Sequence, residues 1–306
     1  MKNPSLGILP LLLVACQGFP VPVEPVPQAA EQTYTFCIDA ETESTRSCFS
    51  EGETSDIRQA VVAVYAKTGD LVHTGAPGDP VVLNRNHPYS YYVLTGDLTE
   101  DTVPLRESAL REYVHHYPLD SSGGFVRYHD QWRAVPMAGA VTLAAPSGLA
   151  SDAGVIRLPA ERLFARIDLR ILPDENLLRN YTVTIRSVKV RNIARCVAPF
   201  DARLTDHGLV SPYEADITRE ADAEGRWTLY LPENLQGDLL PGNTDPARKT
   251  ADALSAAGYN PDLCTYIEAE VAFESGFGVS GTARYRFYPG RDNTANFDIC
   301  RNTPYM

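Results

Sequence analysis

The chain has 306 residues, of which 44% are hydrophobic and 22% are charged, a composition that supports a packed core and excludes wholesale disorder. Its formal net charge of −12 argues against nucleic acids and anionic membrane surfaces as partners, because both are negatively charged. The length suits one large domain or two ordinary ones.

The first residues form an export signal. Lys2 precedes a short apolar run that ends in Leu-Val-Ala-Cys at Cys16. This run is shorter than the ~20 residues that a membrane-spanning helix needs. A Leu-x-Ala-Cys ending is the pattern of bacterial lipoprotein signals, whose cysteine is acylated, for example with palmitate, after the preceding residues are removed. We therefore predict a signal peptide over residues 1–15 and a lipidated Cys16; the alternative is an ordinary signal peptide cleaved near Ala15.

A proline-rich spacer over residues 16–30 follows the signal, because four prolines between Gly18 and Ala30 favour extended polyproline II. Five further cysteines occur, none at the spacing of a metal site, so no metal ligands are predicted. Since an exported protein can form disulfides, Cys37 and Cys48 are the predicted pair.

After the spacer, the first half of the chain has sequence patterns that mainly predict β-strands. A strand is expected around Tyr34–Ile38, and the apolar run Ala60–Ala66 turns into Leu71–Thr74 as a hairpin. The apolar spacing of Pro104–Tyr117 predicts a helix. Further strands are predicted at Val81–Leu83, Tyr89–Leu94 and Trp132–Leu143.

In the second half of the chain, apolar and polar residues alternate more clearly. Apolar residues alternate with polar ones from Leu163 to Ile171, and the apolar phase of Tyr181–Asn192 shifts by one residue, which predicts a β-bulge at Arg186–Ser187. Trp227–Leu231 is a further predicted strand. Two alternating runs over 267–274 and 279–287 predict a hairpin with Glu opposite Arg on its solvent face. The pattern indicates an all-β fold of antiparallel sandwiches with one or two short helices, in two domains over residues 31–158 and 159–306.

A search for catalytic residues finds none. His115 and His116 are adjacent in the predicted helix, so they point in different directions, and a solvated helix end is the expected setting. No nucleophile motif, zinc motif or phosphate-binding glycine loop occurs. The protein is therefore predicted not to be an enzyme and to need no cofactor.

Several segments of the second half occur in an order that resembles the fimbrillin-type proteins of Gram-negative anaerobes, lipoprotein precursors of pilus subunits. The resemblance is dense from Pro136 to Tyr305 and thin before it. Its segments are Val135–Gly139, Leu163–Ile167, Tyr230–Gly237, Cys264–Glu268, Tyr285–Asn293 and Phe297–Tyr305.

The resemblance implies two transthyretin-like β-sandwiches in series and assembly by strand exchange, in which one subunit supplies a strand that completes an open sheet of its neighbour. Stalk subunits of the family also lose an N-terminal segment to a protease that cuts after arginine. Arg46 is the best-placed equivalent, with a plain surface arginine as the alternative. The family pattern usually continues past the Arg-Asn-Thr-x-Tyr segment, so either the sequence is clipped at Met306 or the subunit accepts a strand and donates none.

The resulting prediction is a structural component of a surface pilus, in an anchor, tip or other accessory role. It would be attached to the cell outer membrane through its lipid, with other pilus subunits as partners. The alternative is a lipid-anchored adhesin or glycan-binding protein that recognises surface ligands. Its aromatic contacts would be Tyr89, Tyr91, Tyr92, Tyr113, Tyr117, Tyr128 and Trp132.

Overall fold

The computed structural model describes residues 31–40, 60–95, 102–116, 136–201 and 210–305, and most of its regular elements are strands. The first elements in chain order are β1 (Glu31–Ala40), β2 (Ala60–Ala66), β3 (Leu71–Gly75), β4 (Val81–Asn84), β5 (Tyr89–Thr95), α1 (Glu107–Arg111), β6 (His115–His116), β7 (Met137–Ala144), α2 (Pro146–Leu149) and β8 (Val155–Arg162). Seven of these strands form one sheet in the order β3-β2-β5-β7-β8-β1-β4.

The remaining elements follow, and most of them form a second sandwich. They are β9 (Phe164–Arg170), α3 (Glu175–Leu178), β10 (Tyr181–Ala194), β11 (Cys196–Val197), β12 (Val210–Asp216), β13 (Arg226–Pro232), α4 (Ala251–Ala256), β14 (Tyr266–Ser275), β15 (Ser280–Phe287) and β16 (Pro304–Tyr305). A four-stranded sheet, β12-β10-β14-β15, faces a three-stranded sheet, β13-β9-β16. The described residues thus confirm the all-β class, with four short α-helices between the strands.

Strand β2 is buried on both faces. Val62 and Val64 pack into the core of the seven-stranded sheet, whereas Val61 and Tyr65 belong to the cluster that continues into the second sandwich. This explains the continuous apolar run over 60–66, since a strand with one solvated face would alternate. At β2, the seven-stranded sheet is therefore packed against other parts of the chain on both sides.

The chain passes from the first sheet to the second at Leu163, because β8 ends at Arg162 and β9 begins at Phe164. Leu163 itself is fully buried. The predicted division into domains at 158 and 159 stays a prediction, and β8 runs across it.

The bulge and the hairpin predicted in the second half are confirmed. The pairing of β10 with β14 shifts its register between Ile185 and Ser187. In the β14–β15 hairpin Glu270 lies opposite Arg284 and Glu268 lies opposite Arg286. The Nε atoms of these arginines donate to the carboxylates at 3.0 and 2.9 Å.

The predicted helix at Pro104–Tyr117 is wrong over most of its length. Helix α1 covers only Glu107–Arg111, and its one buried side chain is Leu110. The two histidines that follow form strand β6, which pairs with β11, and His115 is buried rather than solvated. Pairing with a distant strand overrides the local helical spacing here, because it satisfies the backbone groups of a segment that packs against the core.

Arg301 connects the end of the chain to both sandwiches. Its guanidinium donates to Glu233 Oε1 at 2.9 Å and to the carbonyl oxygens of Pro199 and Ala198 at 2.8 and 2.7 Å. Glu161 of β8 lies 3.8 Å away. Only 10% of the Arg301 side chain and 7% of the Glu233 side chain are exposed, so this is a buried ion pair with most of its donors satisfied.

We expect Arg301→Ala to lower the free energy of unfolding by about 3–5 kcal/mol, because the buried carboxylate of Glu233 would lose its counter-ion. Urea denaturation measures this. The matched control is Arg284→Ala, which removes a pair whose arginine is 69% exposed and should cost no more than ~1 kcal/mol. Equal effects of the two substitutions would contradict this account of the pair.

Candidate functional site

The strand β1 is the element of the described structure that the strand-exchange prediction concerns, because it comes directly before the segment that contains Arg46. It covers Glu31–Ala40, a longer strand than the Tyr34–Ile38 expected from the sequence. The next described element, β2, begins only at Ala60. Residues 41–59 thus form the covalent link between β1 and the rest of the sandwich.

The side chains of β1 complete the core of the first sandwich. Tyr34, Phe36 and Ile38 alternate along the strand and are all buried in that core. The Phe36 ring lies 6.0 Å from the ring of Tyr91 and 6.2 Å from that of His73. This alternation buries one face of the strand, so three inward side chains of β1 contribute to the core.

Different neighbours pair with the backbone of β1 along its two halves. Residues 31–34 pair antiparallel with β4, whereas residues 35–40 pair in parallel with β8. Besides these ladders, the Gly78 amide donates to Phe36 O at 3.0 Å and the Thr35 amide donates to Gly154 O at 3.1 Å. Each half of β1 therefore pairs with one neighbouring strand, whereas a central strand pairs with a neighbour on both sides along its whole length.

The seat that β1 occupies is lined by apolar side chains of its two partners. Val81 and Leu83 come from β4, and Ile156, Leu158 and Ala160 come from β8; all are buried. Sequence reasoning found β4 as a strand but did not identify this seat. The alternation of the apolar Ile156, Leu158 and Ala160 with other residues was the sequence signal that could have located it, since inward residues of a strand repeat at every second position.

The structure places only one of the predicted site residues among its described residues. Cys37 lies on β1, half-buried and as a free thiol. Cys16, Arg46 and Cys48 fall outside the described residues, so lipidation, cleavage and the Cys37–Cys48 disulfide stay predictions.

The aromatic residues proposed for glycan binding do not form one surface. Tyr91 and Tyr92 are fully buried and Tyr89 is nearly so. Burial raises the pKa of the Tyr92 hydroxyl, which donates to Glu107 Oε1 at 2.6 Å. Tyr117, Tyr128 and Trp132 lie outside the described residues. These three buried tyrosines are core residues, and no exposed aromatic platform includes them.

The described residues contain no group of three or more His, Cys, Asp and Glu side chains that could hold a metal ion. None of the helices in the described ranges is long and apolar enough to cross a membrane. A cleft of about 530 Å³ between the sandwiches is lined by small residues of β7 and β8, by Phe200 and Leu235, and by the Arg301–Glu233 pair. That pair is engaged with the backbone carbonyls described above, so the site with the strongest structural definition is the seat of β1.

Residues 229–306 match a family model described as "Domain of unknown function (DUF4906)". No curated protein matches the chain.

Several solved structures are similar over most of the chain. The tip fimbrial protein Mfa3 from Porphyromonas gingivalis, with C-terminal truncation, is 12% identical with a TM-score of 0.50, and the alignment covers 88% of this chain and 92% of that one. A fimbrial assembly protein from Parabacteroides distasonis is 12% identical with a TM-score of 0.42, covering 90% and 89% of the two chains. A fimbrial protein from Bacteroides vulgatus is 8% identical with a TM-score of 0.40, covering 89% and 90%.

At this level of identity the comparison with Mfa3 concerns the fold. Both chains are aligned over nearly their full lengths, so the likeness includes the two sandwiches and not one module alone. The chain therefore shares the fold of the tip fimbrial protein Mfa3, and this agrees with the fold that the fimbrillin-type resemblance of its sequence implies.

Proposed function

We propose that this protein is a structural subunit of a surface fimbrium, carried to the outer membrane as a lipoprotein and joined to other subunits by strand exchange. It acts by assembly and has no enzymatic role. The observation that carries the proposal is the seat of β1. This strand completes the core of the first sandwich, and its covalent link to the rest of that sandwich is residues 41–59.

The physical basis of the proposal is the replacement of one strand by another. If the chain is cut after Arg46, β1 is no longer covalently linked to the sandwich, and the edges of β4 and β8 can pair with a different strand. A strand from a neighbouring subunit satisfies the same backbone groups, and its alternate side chains fill the apolar seat. The fold shared with the tip fimbrial protein Mfa3 supports this role.

Cleavage after Arg46 is the first test. We expect the assembled protein to begin at Ser47, and Arg46→Ala to abolish both this terminus and the detergent-resistant ladders, because β1 would stay attached. N-terminal sequencing and gel electrophoresis without strong heating measure the two effects. Arg58→Ala is the matched control in the same segment and should change neither. Normal ladders from the Arg46 variant would refute cleavage as the trigger of assembly.

The contribution of Phe36 to the binding of β1 is the second test. Phe36→Ala should weaken the binding of β1 by roughly 3–5 kcal/mol, because it removes a buried aromatic ring from the core. After cleavage we therefore expect faster loss of the β1 peptide and faster assembly, followed by mass spectrometry and light scattering. Thr33→Ala alters an exposed residue of the same strand and should leave both rates unchanged. If Phe36→Ala left the assembly rate unaltered, release of β1 would not be a step in assembly.

Lipidation of Cys16 is the third test. In the precursor not yet cut after Arg46, which still carries position 16, Cys16→Ala should abolish incorporation of labelled palmitate. It should also release this precursor from the outer-membrane fraction, since its anchoring depends on acyl chains in the bilayer. Cys300→Ala is the control, because it removes a free cysteine that is distant in sequence from the signal peptide. Retention of label in the Cys16 variant would exclude this residue as the lipid site.

A further inference from the structure

The cleft of about 530 Å³ between the two sandwiches is lined by residues of both. Small-molecule sites in proteins have volumes of roughly 300–1,000 Å³ and occur preferentially where domains meet. This cleft therefore has the size and the position of a ligand site.

The floor of the cleft is formed by short side chains of β7 and β8, among them Ala138, Ala140 and Ala160. Gly139 lies between the first two, and a Cβ atom there would come within 1.7 Å of Pro159 O. The backbones of the two strands thus approach closely at this point, which requires glycine. Because Ala140 is exposed, a ligand in the cleft would lie directly against the floor.

An apolar part of the lining consists of Phe200 and Leu235, which are both half-buried. The ring of Phe200 makes an edge-on contact with Tyr92, with 5.0 Å between the ring centroids, and this contact restricts its orientation. Phe200 is therefore a rigid apolar surface at the cleft. The C–H bonds on one face of a sugar ring form an apolar surface that can pack against such a side chain.

Arg291 supplies hydrogen-bond donors at the cleft. Its Nε atom lies 3.3 Å from Cys300 Sγ and 3.3 Å from Asp298 Oδ2. These contacts hold the guanidinium group in place, although 64% of the side chain is exposed. Its two terminal nitrogens make no hydrogen bond to any residue in the described ranges. They are therefore available as donors to the oxygen atoms of a ligand.

Glu161 supplies acceptors in the same cleft. Its side chain is 47% exposed and lies 3.8 Å from Arg301 Nη1. A carboxylate group has about four acceptor positions. The carboxylate of Glu161 can therefore accept hydrogen bonds from ligand hydroxyl groups while it keeps its contact with Arg301.

The charges around the cleft are nearly balanced, because Arg301 pairs with Glu233 and Arg291 pairs with Asp298. No surplus of positive charge selects an anion, and the net charge of −12 also disfavours negatively charged ligands. The exposed guanidinium group of Arg291 disfavours a cation. A neutral ring with several hydroxyl groups matches the donors, the acceptors and the apolar surface of this lining.

We propose that the cleft between the sandwiches binds a neutral sugar unit of a surface glycan. Hydroxyl oxygens of the sugar accept hydrogen bonds from Arg291, other hydroxyl groups donate to Glu161, and the apolar face of the ring packs against Phe200 and Leu235. This binding function is additional to the structural role proposed above, and it depends neither on cleavage of the chain nor on strand exchange.

Nuclear magnetic resonance titration of the full chain tests the site. The probes are methyl β-D-galactoside, methyl α-D-mannoside and N-acetyl-D-glucosamine at millimolar concentrations, and the acyclic polyol sorbitol is the control. We expect at least one of the sugars to shift the amide signals of Ala140 and Leu235 saturably, whereas sorbitol shifts neither. The inference is overturned if none of the sugars shifts these signals, or if glucuronate binds more tightly than every neutral sugar.

A matched pair of substitutions in β7 locates the sugar. Ala140→Trp places an indole ring on the floor of the cleft and should weaken sugar binding by on the order of tenfold or more, because the ring occupies the volume of the ligand. Thr142→Trp alters an exposed residue two positions further along the strand, which does not line the cleft, and should leave binding unchanged. An equal loss in both variants would place the sugar elsewhere and refute the inference.

Arg291→Gln tests the hydrogen-bond donors. It should weaken sugar binding by about tenfold, because the charged donors are lost. The control is Arg284→Gln, which alters a 69% exposed arginine of the β14–β15 hairpin and should leave the affinity unchanged. If the affinity of the Arg291 variant equalled that of the unaltered protein, Arg291 would not contact the sugar and the proposed binding mode would be wrong.

Discussion

The position of β1 depends on two sets of contacts that act on different halves of the strand. Its first residues have backbone partners in β4, its later residues have partners in β8, and its inward side chains are buried between them. An unpaired strand edge in a folded protein exposes hydrogen-bonding groups, and the apolar seat below it would be open to water. The integrity of the first sandwich therefore requires that some strand occupies this seat.

Strands β2 and β5, which line the core around β1, also pack against the second sandwich through their other face. Strand β2 and much of β5 are buried on both faces, one in the core around β1 and the other in the cluster shared with the second sandwich. Tyr92 makes an edge-on contact with Phe200 across this boundary, with 5.0 Å between ring centroids. The Arg301–Glu233 pair adds a polar connection nearby. Loss of β1 would expose one face of the sheet while its other face stays packed.

Much of this architecture could be predicted from the sequence, and the successes have a common cause. The hairpin of β14 and β15 and the bulge near Ser187 follow from strict alternation, which depends on near neighbours along the chain. Strand β2 was found from a different local pattern, a continuous apolar run, because both of its faces are buried. Local spacing was sufficient wherever a strand has one consistent inward face.

The features that the sequence did not reveal depend on residues that are distant along the chain. His115 and His116 pair with Cys196 and Val197, and no spacing within 104–117 indicates that partner. Arg301 meets Glu233 and two carbonyl oxygens only after the fold has formed. The exposed rings of Tyr285 and Phe287 could not be foreseen either, since alternation predicts an inward face but not how far it is buried.

The parallel pairing of β1 with β8 has a consequence for the shape of any assembly built at this seat. A replacement strand that keeps the same hydrogen bonds must run in the same direction as β1. In the assembly proposed above, one subunit would donate this strand and the next would accept it, so each contact would join two unlike surfaces. Such head-to-tail contacts have polarity and do not close into a symmetric pair, which favours an open filament with two chemically different ends. In the proposed assembly, elongation at one end would stop at a subunit that donates no strand.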